Sequence, residues 1–192
     1  LVEKVEGADI DDIMKGIGLD PRISPFFLRA GIGFGGSCFP KDINALIQFS
    51  ENISAETPNI LSAVLKVNKN RPYRLIKLLR KELGSLSNKK IAVLGLSFKP
   101  NTDDIRFAPS IDIIEGLLKG GAKIKAYDPY AMDKMSKVLP DITYCKDAYE
   151  VACASDALVI VTEWSEFKEI NLEEIKKLLN NPIIIANTAT IK

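Results

Sequence analysis

The chain is expected to be an α/β protein, with an all-helical block over residues 1–86 followed by a doubly wound parallel sheet over residues 87–192. Three observations give that expectation. Apolar residues recur at three- and four-residue spacing as far as Leu83; a short polar breaker, Ser85 to Lys90, follows; and beyond it apolar runs of strand length alternate with helical segments. Alternation of that kind specifies parallel strands covered by helices on both faces.

Within the helical block, Val2, Val5, Ile10, Ile13, Met14 and Ile17 predict one or two short helices ending near Gly16 and Gly18. Asp20-Pro21 starts a turn, and Phe26-Phe27-Leu28 lead into a glycine-rich loop, with Phe26 expected in the core. Ile43, Ala45, Leu46, Ile47 and Phe49 predict a helix beginning near Lys41. Thr57-Pro58 reads as an N-cap followed by proline in the first turn of a long amphipathic helix that Gly84 closes, with a kink expected at Pro72. Its apolar stripes exceed what a single layer buries, which predicts a partner subunit or a further domain over part of them.

After the breaker, Ile91 to Gly95 is a buried-strand run. Further strands are expected at Ala122 to Tyr127, Ile142 to Cys145, Ala157 to Thr162 and Pro182 to Ala186. Helices are expected near Ser110 to Leu118, Met132 to Val138, Ala148 to Ala154 and Leu172 to Leu179. Ligands of such sheets sit outside the carboxyl ends of the strands, which directs attention to the loop from Leu96 to Pro109.

Composition narrows the function. With 26 Lys+Arg against 25 Asp+Glu in 192 residues there is no basic excess to attract nucleic acid or an anionic membrane surface. No apolar run approaches the ~18 residues of a spanning helix. Cys38, Cys145 and Cys153 are odd in number and without metal-like spacing, and the chain has no histidine, so neither a disulfide framework nor a zinc site is expected; a reducing cytoplasm is. The start, Leu-Val-Glu-Lys-Val-Glu, reads as an internal fragment.

Chemistry concentrates in Gly31-Ile32-Gly33-Phe34-Gly35-Gly36-Ser37-Cys38-Phe39-Pro40-Lys41-Asp42. Glycines let the backbone take positive φ and approach a ligand, and the helix that follows puts Cys38 and Asp42 near a positive helix end. A helix N-terminus and a nearby lysine favour the thiolate, the reactive form of cysteine. The residues alone leave two readings of Cys38 open: a nucleophile, or a small apolar residue buried in a turn. The second loop, Leu96-Ser97-Phe98-Lys99-Pro100-Asn101-Thr102-Asp103-Asp104-Ile105-Arg106-Phe107-Ala108-Pro109, keeps only Gly95 of a dinucleotide fingerprint. Its Lys99 and Arg106 suit phosphate oxygens beside a helix start, or form a solvated surface that Asp103 and Asp104 neutralise.

Both loops carry a resemblance. GxGFGGSCFPKD, preceded by Asp20-Pro21-Arg22-Ile23 and Phe27-Leu28-Arg29-Ala30-Gly31, resembles the active-site segment of the UDP-glucose 6-dehydrogenases within the UDP-glucose/GDP-mannose dehydrogenase family. The second loop is similar to the family's GLxFKPxTDDxRExPS signature, and Ala126-Tyr127-Asp128-Pro129 to the end of the next strand. The likeness spans almost the whole chain. It implies a central helical dimerisation domain (1–86) bearing the catalytic loop and a Rossmann-like, UDP-binding domain (87–192). The family's N-terminal NAD-binding unit, with its supporting lysine and asparagine, is missing from this sequence, which implies a fragment inactive alone.

The resemblance further implies NAD-dependent four-electron oxidation of a UDP-sugar, with UDP-glucose the first expectation and UDP-N-acetyl-hexosamine or GDP-mannose the alternatives, in a cytoplasmic enzyme of polysaccharide biosynthesis. Cys38 would capture an aldehyde as a thiohemiacetal, pass through a thioester and release the acid, with Asp42 orienting or deprotonating water. Phe27, Leu28, Arg29, Ala30, Gly31 and Gly35 would line the nucleotide sugar, with Phe98 and Lys99 beside it. Lys41 and Arg106 would face NAD. Arg22 would enter a neighbouring subunit's site, which implies a homodimer through the central helices. Two departures stand out: Phe107 replaces an acidic residue, and Ala186-Asn187-Thr188 replaces a triplet ending in arginine. They keep open a non-catalytic nucleotide-sugar-binding or dimerisation module, and Cys38 alone keeps open a thiol redox switch.

Overall fold

The computed structural model describes residues 2–54 and 58–187, the side chain of Glu3 excepted. Thr57 and Thr188, expected above as an N-cap and as a departure from the family triplet, lie outside the described residues. The chain forms two compact units, Leu1–Gly31 and Ile32–Lys192.

In the first unit a 3-10 turn, Val2–Lys4, precedes helix α1 (Ile10–Gly18). Asp9 starts α1 because its carboxylate accepts from the N–H groups of Asp11 and Asp12, donors that no preceding turn can satisfy. Asp20 closes the following turn by accepting from the backbone and guanidinium of Arg22. Phe26 is 88% exposed, so the core position expected for it is not found; the turn after Pro25 leaves the ring nothing to pack on within its own segment.

The second unit begins with helices α2 (Phe39–Asn52) and α3 (Pro58–Leu83). Pro72 lies inside α3, where the helix continues past it. The C-terminal half of α3 belongs to the sheet's core: Leu75, Ile76 and Leu79 are buried with Ile113, Ile114 and Leu117 of α4 (Pro109–Lys119). The remaining elements are β1 (Lys90–Leu94), β2 (Lys123–Tyr127), α5 (Met132–Val138), β3 (Thr143–Tyr144), α6 (Ala148–Ala152), β4 (Ala157–Ile160), α7 (Ser165–Glu169), α8 (Leu172–Leu178) and β5 (Ile184–Ala186). The strands form a five-stranded sheet of order β3-β2-β1-β4-β5, each neighbouring pair parallel.

Burial on both faces follows the period-two alternation of a strand. Ile91 and Val93 of β1, with Val159 of β4, face α3, α4 and α5, while Ala92 and Leu94, with Leu158 and Ile160, face α6, α7 and α8. The chain reverses direction of travel across the sheet between β1 and β4, so the loops after these two strands flank the switch point where such sheets hold ligands.

Candidate active site

Cys38 is the N-cap of α2 and is exposed, so of the two readings left open by the residues the buried one is not found. Its carbonyl accepts from Asp42 N–H at 2.8 Å, which sets the first helical turn, and its side chain makes no capping bond. Cys38 is therefore placed at the N-terminal end of a fourteen-residue helix, the end where the partial positive charge of a helix is concentrated. Lys41 and Asp42, both exposed, pair at 3.1 Å in that turn.

The glycine loop is docked against the loop after β1. Gly36 N–H donates to the carbonyl of Arg106 at 2.8 Å. A Cβ on Gly35 would collide with the carbonyl oxygen of Phe107, and one on Gly36 would lie 2.7 Å from the Phe98 ring. The contact therefore depends on absent side chains. On its other side the loop meets α3: the Asn68 amide donates to Phe34 C=O at 2.9 Å and accepts from Phe34 N–H at 2.8 Å. A cleft of about 630 Å³ opens beside this junction, lined by Gly33, Phe34, Asn68, Phe107, Ile111 and Asp112 among others.

The second loop is rigidly built. Asp128, at the end of β2 and fully buried, accepts from the N–H groups of Leu96, Ser97, Tyr130 and Ala131 and from the Trp164 indole. Thr162 Oγ1 donates to Ser97 C=O at 2.6 Å. Phe98 N–H donates to Asp104 C=O at 3.0 Å, and the Lys99 ammonium sits 5.4 Å from the Phe98 ring centroid. Asp104 grips Arg106 through both carboxylate oxygens, 2.7 Å at the closest. The guanidinium hydrogen bond is the main cause that lowers the Asp104 carboxyl to about 2. The same hydrogen bond raises the Arg106 guanidinium. Asp103 pairs instead with Lys134 at 2.7 Å, and these groups rim a second cleft of about 450 Å³.

Cys38, Asp42, Lys41, Gly35, Phe98 and Arg106 thus lie on two loops and a helix start that are joined by direct contacts, with Lys99 on the same second loop. Arg22, Phe27, Leu28, Arg29, Ala30 and Gly31 belong to the first unit, where Arg22 is paired with Asp20 at 2.6 Å. Sequence reasoning missed two organising residues. Asp128 was visible only as part of the matched Ala-Tyr-Asp-Pro string, and nothing in the sequence around Asn68 marked it.

The crevice at the end of β1 does not fit a dinucleotide. Gly95 is packed against Thr162, 2.5 Å from where a Cβ would be to the Thr162 nitrogen, and Asp128, at the strand end where dinucleotide folds hold a ribose, is consumed by backbone and indole donors. Among the described residues no group of His, Cys, Asp and Glu is arranged to hold a metal, and no described helix is long and apolar enough to cross a membrane.

Comparison with known proteins gives the family. Residues 1–70 match the model of the central domain of the UDP-glucose/GDP-mannose dehydrogenase family, and residues 92–191 match its UDP binding domain. The UDP-glucose 6-dehydrogenase TuaD of Bacillus subtilis is 45% identical over 181 residues, covering 93% of this chain and 39% of that protein. The structure of a UDP-glucose dehydrogenase from Pyrobaculum islandicum matches with a TM-score of 0.83 and 40% identity over 86% of this chain and 38% of its own. That of a UDP-D-ManNAc dehydrogenase from Pyrococcus horikoshii matches with a TM-score of 0.80 and 28% identity over 97% and 42%. The chain spans about two fifths of the length of these relatives. With two family domains matched along it and a parallel sheet of the same architecture, this chain belongs to the UDP-glucose/GDP-mannose dehydrogenase family.

Proposed function

We propose that this chain is the central helical part (1–86) and the UDP-binding domain (87–192) of an NAD-dependent UDP-glucose 6-dehydrogenase that produces UDP-glucuronate. One observation carries the reading: an exposed cysteine at the start of α2, on a glycine loop bonded to the loop that bears Phe98, Lys99 and Arg106. The identities to proteins named UDP-glucose dehydrogenase favour glucose as the sugar.

In this reading the Cys38 thiolate adds to the C6 aldehyde of the sugar, forming a carbon–sulfur bond and keeping the aldehyde from escaping. Once the adduct has reached the acyl level it is a thioester. Asp42 takes a proton from the attacking water, the carbon–sulfur bond breaks, and the thiolate leaves as the acid forms. NAD supplies the acceptor for both hydrides when bound. Because the crevice after β1 does not fit a dinucleotide, this chain's share of that site is limited to the exposed cations Lys41 and Arg106. Lys99 and Phe98 meet the nucleotide sugar. Gly35 lines it, and Arg22 serves a neighbouring subunit in a homodimer formed through the central helices. Exposed Leu46, Phe49, Ile53, Ile60, Val64 and Val67 on α2, α3 and the segment between them are the apolar surface available for that dimer.

The test is the complete protein with Cys38→Ser, assayed for acid formation on UDP-glucose, UDP-N-acetyl-hexosamines and GDP-mannose. Loss of acid with UDP-glucose as the preferred wild-type substrate supports the reading; undiminished acid removes Cys38 from the chemistry. A second reading, a nucleotide-sugar-binding module without turnover, is favoured by Phe107, an exposed aromatic where the family signature has an acid. UDP-sugar binding by the wild-type protein without any NAD reduction would select it.

A further inference from the structure

We infer that Asn68 is a positioning residue for Cys38, holding the glycine loop against α3 so that the chain enters α2 with the sulfur at the helix start. The inference rests on the reading of Cys38 as the nucleophile.

Asparagine is a poor residue for a helix interior, because its amide competes with the backbone. Asn68 nevertheless sits in the middle of α3, half-buried, with its amide turned outward from the helix. Both ends of the amide are used on one residue, Nδ2 donating to Phe34 C=O at 2.9 Å and Oδ1 accepting from Phe34 N–H at 2.8 Å. That is the pair of bonds one strand residue exchanges with another across an antiparallel ladder, supplied here by a side chain. The pairing also fixes which end of the amide is oxygen. Gly33, at φ +117, lets the backbone come within 3.0 Å of Oδ1 measured from a notional Cβ. Pro72, four residues on, has no N–H to return to the Asn68 carbonyl, so α3 departs from regular bonding at the turn that carries the clamp. The second hold on the loop is Gly36 N–H on Arg106 C=O. Between them the two holds leave Ser37 as the residue connecting the clamped loop to Cys38.

The decisive variant is Asn68→Asp in the complete protein. It keeps the shape and the acceptor for Phe34 N–H but turns a carboxylate oxygen toward Phe34 C=O, and only on protonation does it recover a donor there. Two readouts are taken across a pH series from mildly alkaline to mildly acidic: kcat on UDP-glucose, and the rate of iodoacetamide alkylation of Cys38 by peptide mass spectrometry, with exposed Cys153 as internal reference. The expected result at alkaline pH is an about tenfold fall in kcat, the scale of one lost hydrogen bond, with slower alkylation of Cys38 and none of Cys153's rate lost. The variant-to-wild-type ratio of both then climbs toward one as pH falls. Asn68→Ser, which cannot span both groups, shows the fall without the recovery, and stands in if the first variant does not fold. Unchanged alkylation of Cys38 in a folded variant, or an equal deficit on both sides of the introduced carboxyl's own titration, overturns the clamp. Failure of the clamp with Cys38→Ser still inactive leaves the proposed function standing. If Cys38→Ser stays active, that function fails and the alkylation series still decides the clamp.

Discussion

The Trp164 indole nitrogen donates to Asp128 Oδ2 at 3.0 Å, tying the loop after β4 to the end of β2 inside a region where both residues are buried. The same oxygen accepts from the N–H groups of Leu96 and Ser97, so one carboxylate sets the start of the loop that carries Phe98 and Lys99. Removing it leaves buried donors without partners. Asp128→Ala is expected to lower stability by about 3–5 kcal/mol and Asp128→Asn by about 1–3 kcal/mol, both measured by urea denaturation. UDP affinity, followed by calorimetry, falls in the same order.

Glycines at two packed positions respond differently to alanine. At Gly35 a Cβ meets the backbone carbonyl of Phe107, which cannot yield without moving the second loop, so Gly35→Ala is expected to cost about 1–3 kcal/mol and most of the activity. At Gly116 in α4 a Cβ meets only the Cδ1 end of Ile76, a flexible group. There the gain in helix propensity of about 1 kcal/mol offsets the repacking, and the melting temperature of Gly116→Ala stays near that of the wild type.

Phe107 adopts φ +51, a left-handed conformation costly for a residue with a Cβ, and the residue is 66% exposed. Phe107→Gly is expected to stabilise the fold by about 1 kcal/mol in thermal unfolding, since relief of the backbone outweighs a ring that buries little. A destabilised variant would show that the chain entropy glycine adds to the unfolded state, with the packing of the ring along the cleft, outweighs the backbone strain.

Acid loosens the Arg106 grip in a defined window. The Asp104 carboxyl is depressed from 3.8 to about 2 by the guanidinium hydrogen bond, so its contribution is complete above about pH 4 and is lost as pH falls toward 2. Arg106 is 64% exposed, so solvent screening keeps the stability effect small. Asp104→Asn is expected to flatten the acid limb of the unfolding curve between those pH values and to change it little near neutrality, as read by circular dichroism.

Much of the architecture was legible. The helix-to-sheet change after Gly84 and the strands at residues 91–94 and 157–160 came out where apolar runs put them, because a strand buried on both faces needs a continuous apolar segment and leaves that mark in sequence, while the strand at 123–127 shows instead the alternation of a strand with one half-covered face. The helix expected near Lys41 begins at Phe39, and α7 was not anticipated: five residues from Ser165 to Glu169 are too few to display a helical period. Phe26 was misjudged because apolar character predicts burial only when a packing surface exists.

By itself the sequence determined the class of fold, the alternation of its strands with helices, the family, and the two loops proposed to carry the chemistry, since each is written in residues that are neighbours along the chain. Only the tertiary structure decided that Cys38 is exposed, that Gly35 lies under Phe107, that Asn68 holds Phe34 and that Asp128 is spent on its own backbone. The reason is distance along the chain: Asn68 and Phe34 are 34 residues apart and Asp128 and Trp164 are 36, and a hydrogen bond between such residues exists only once the sheet and its helices have brought them to within 3 Å.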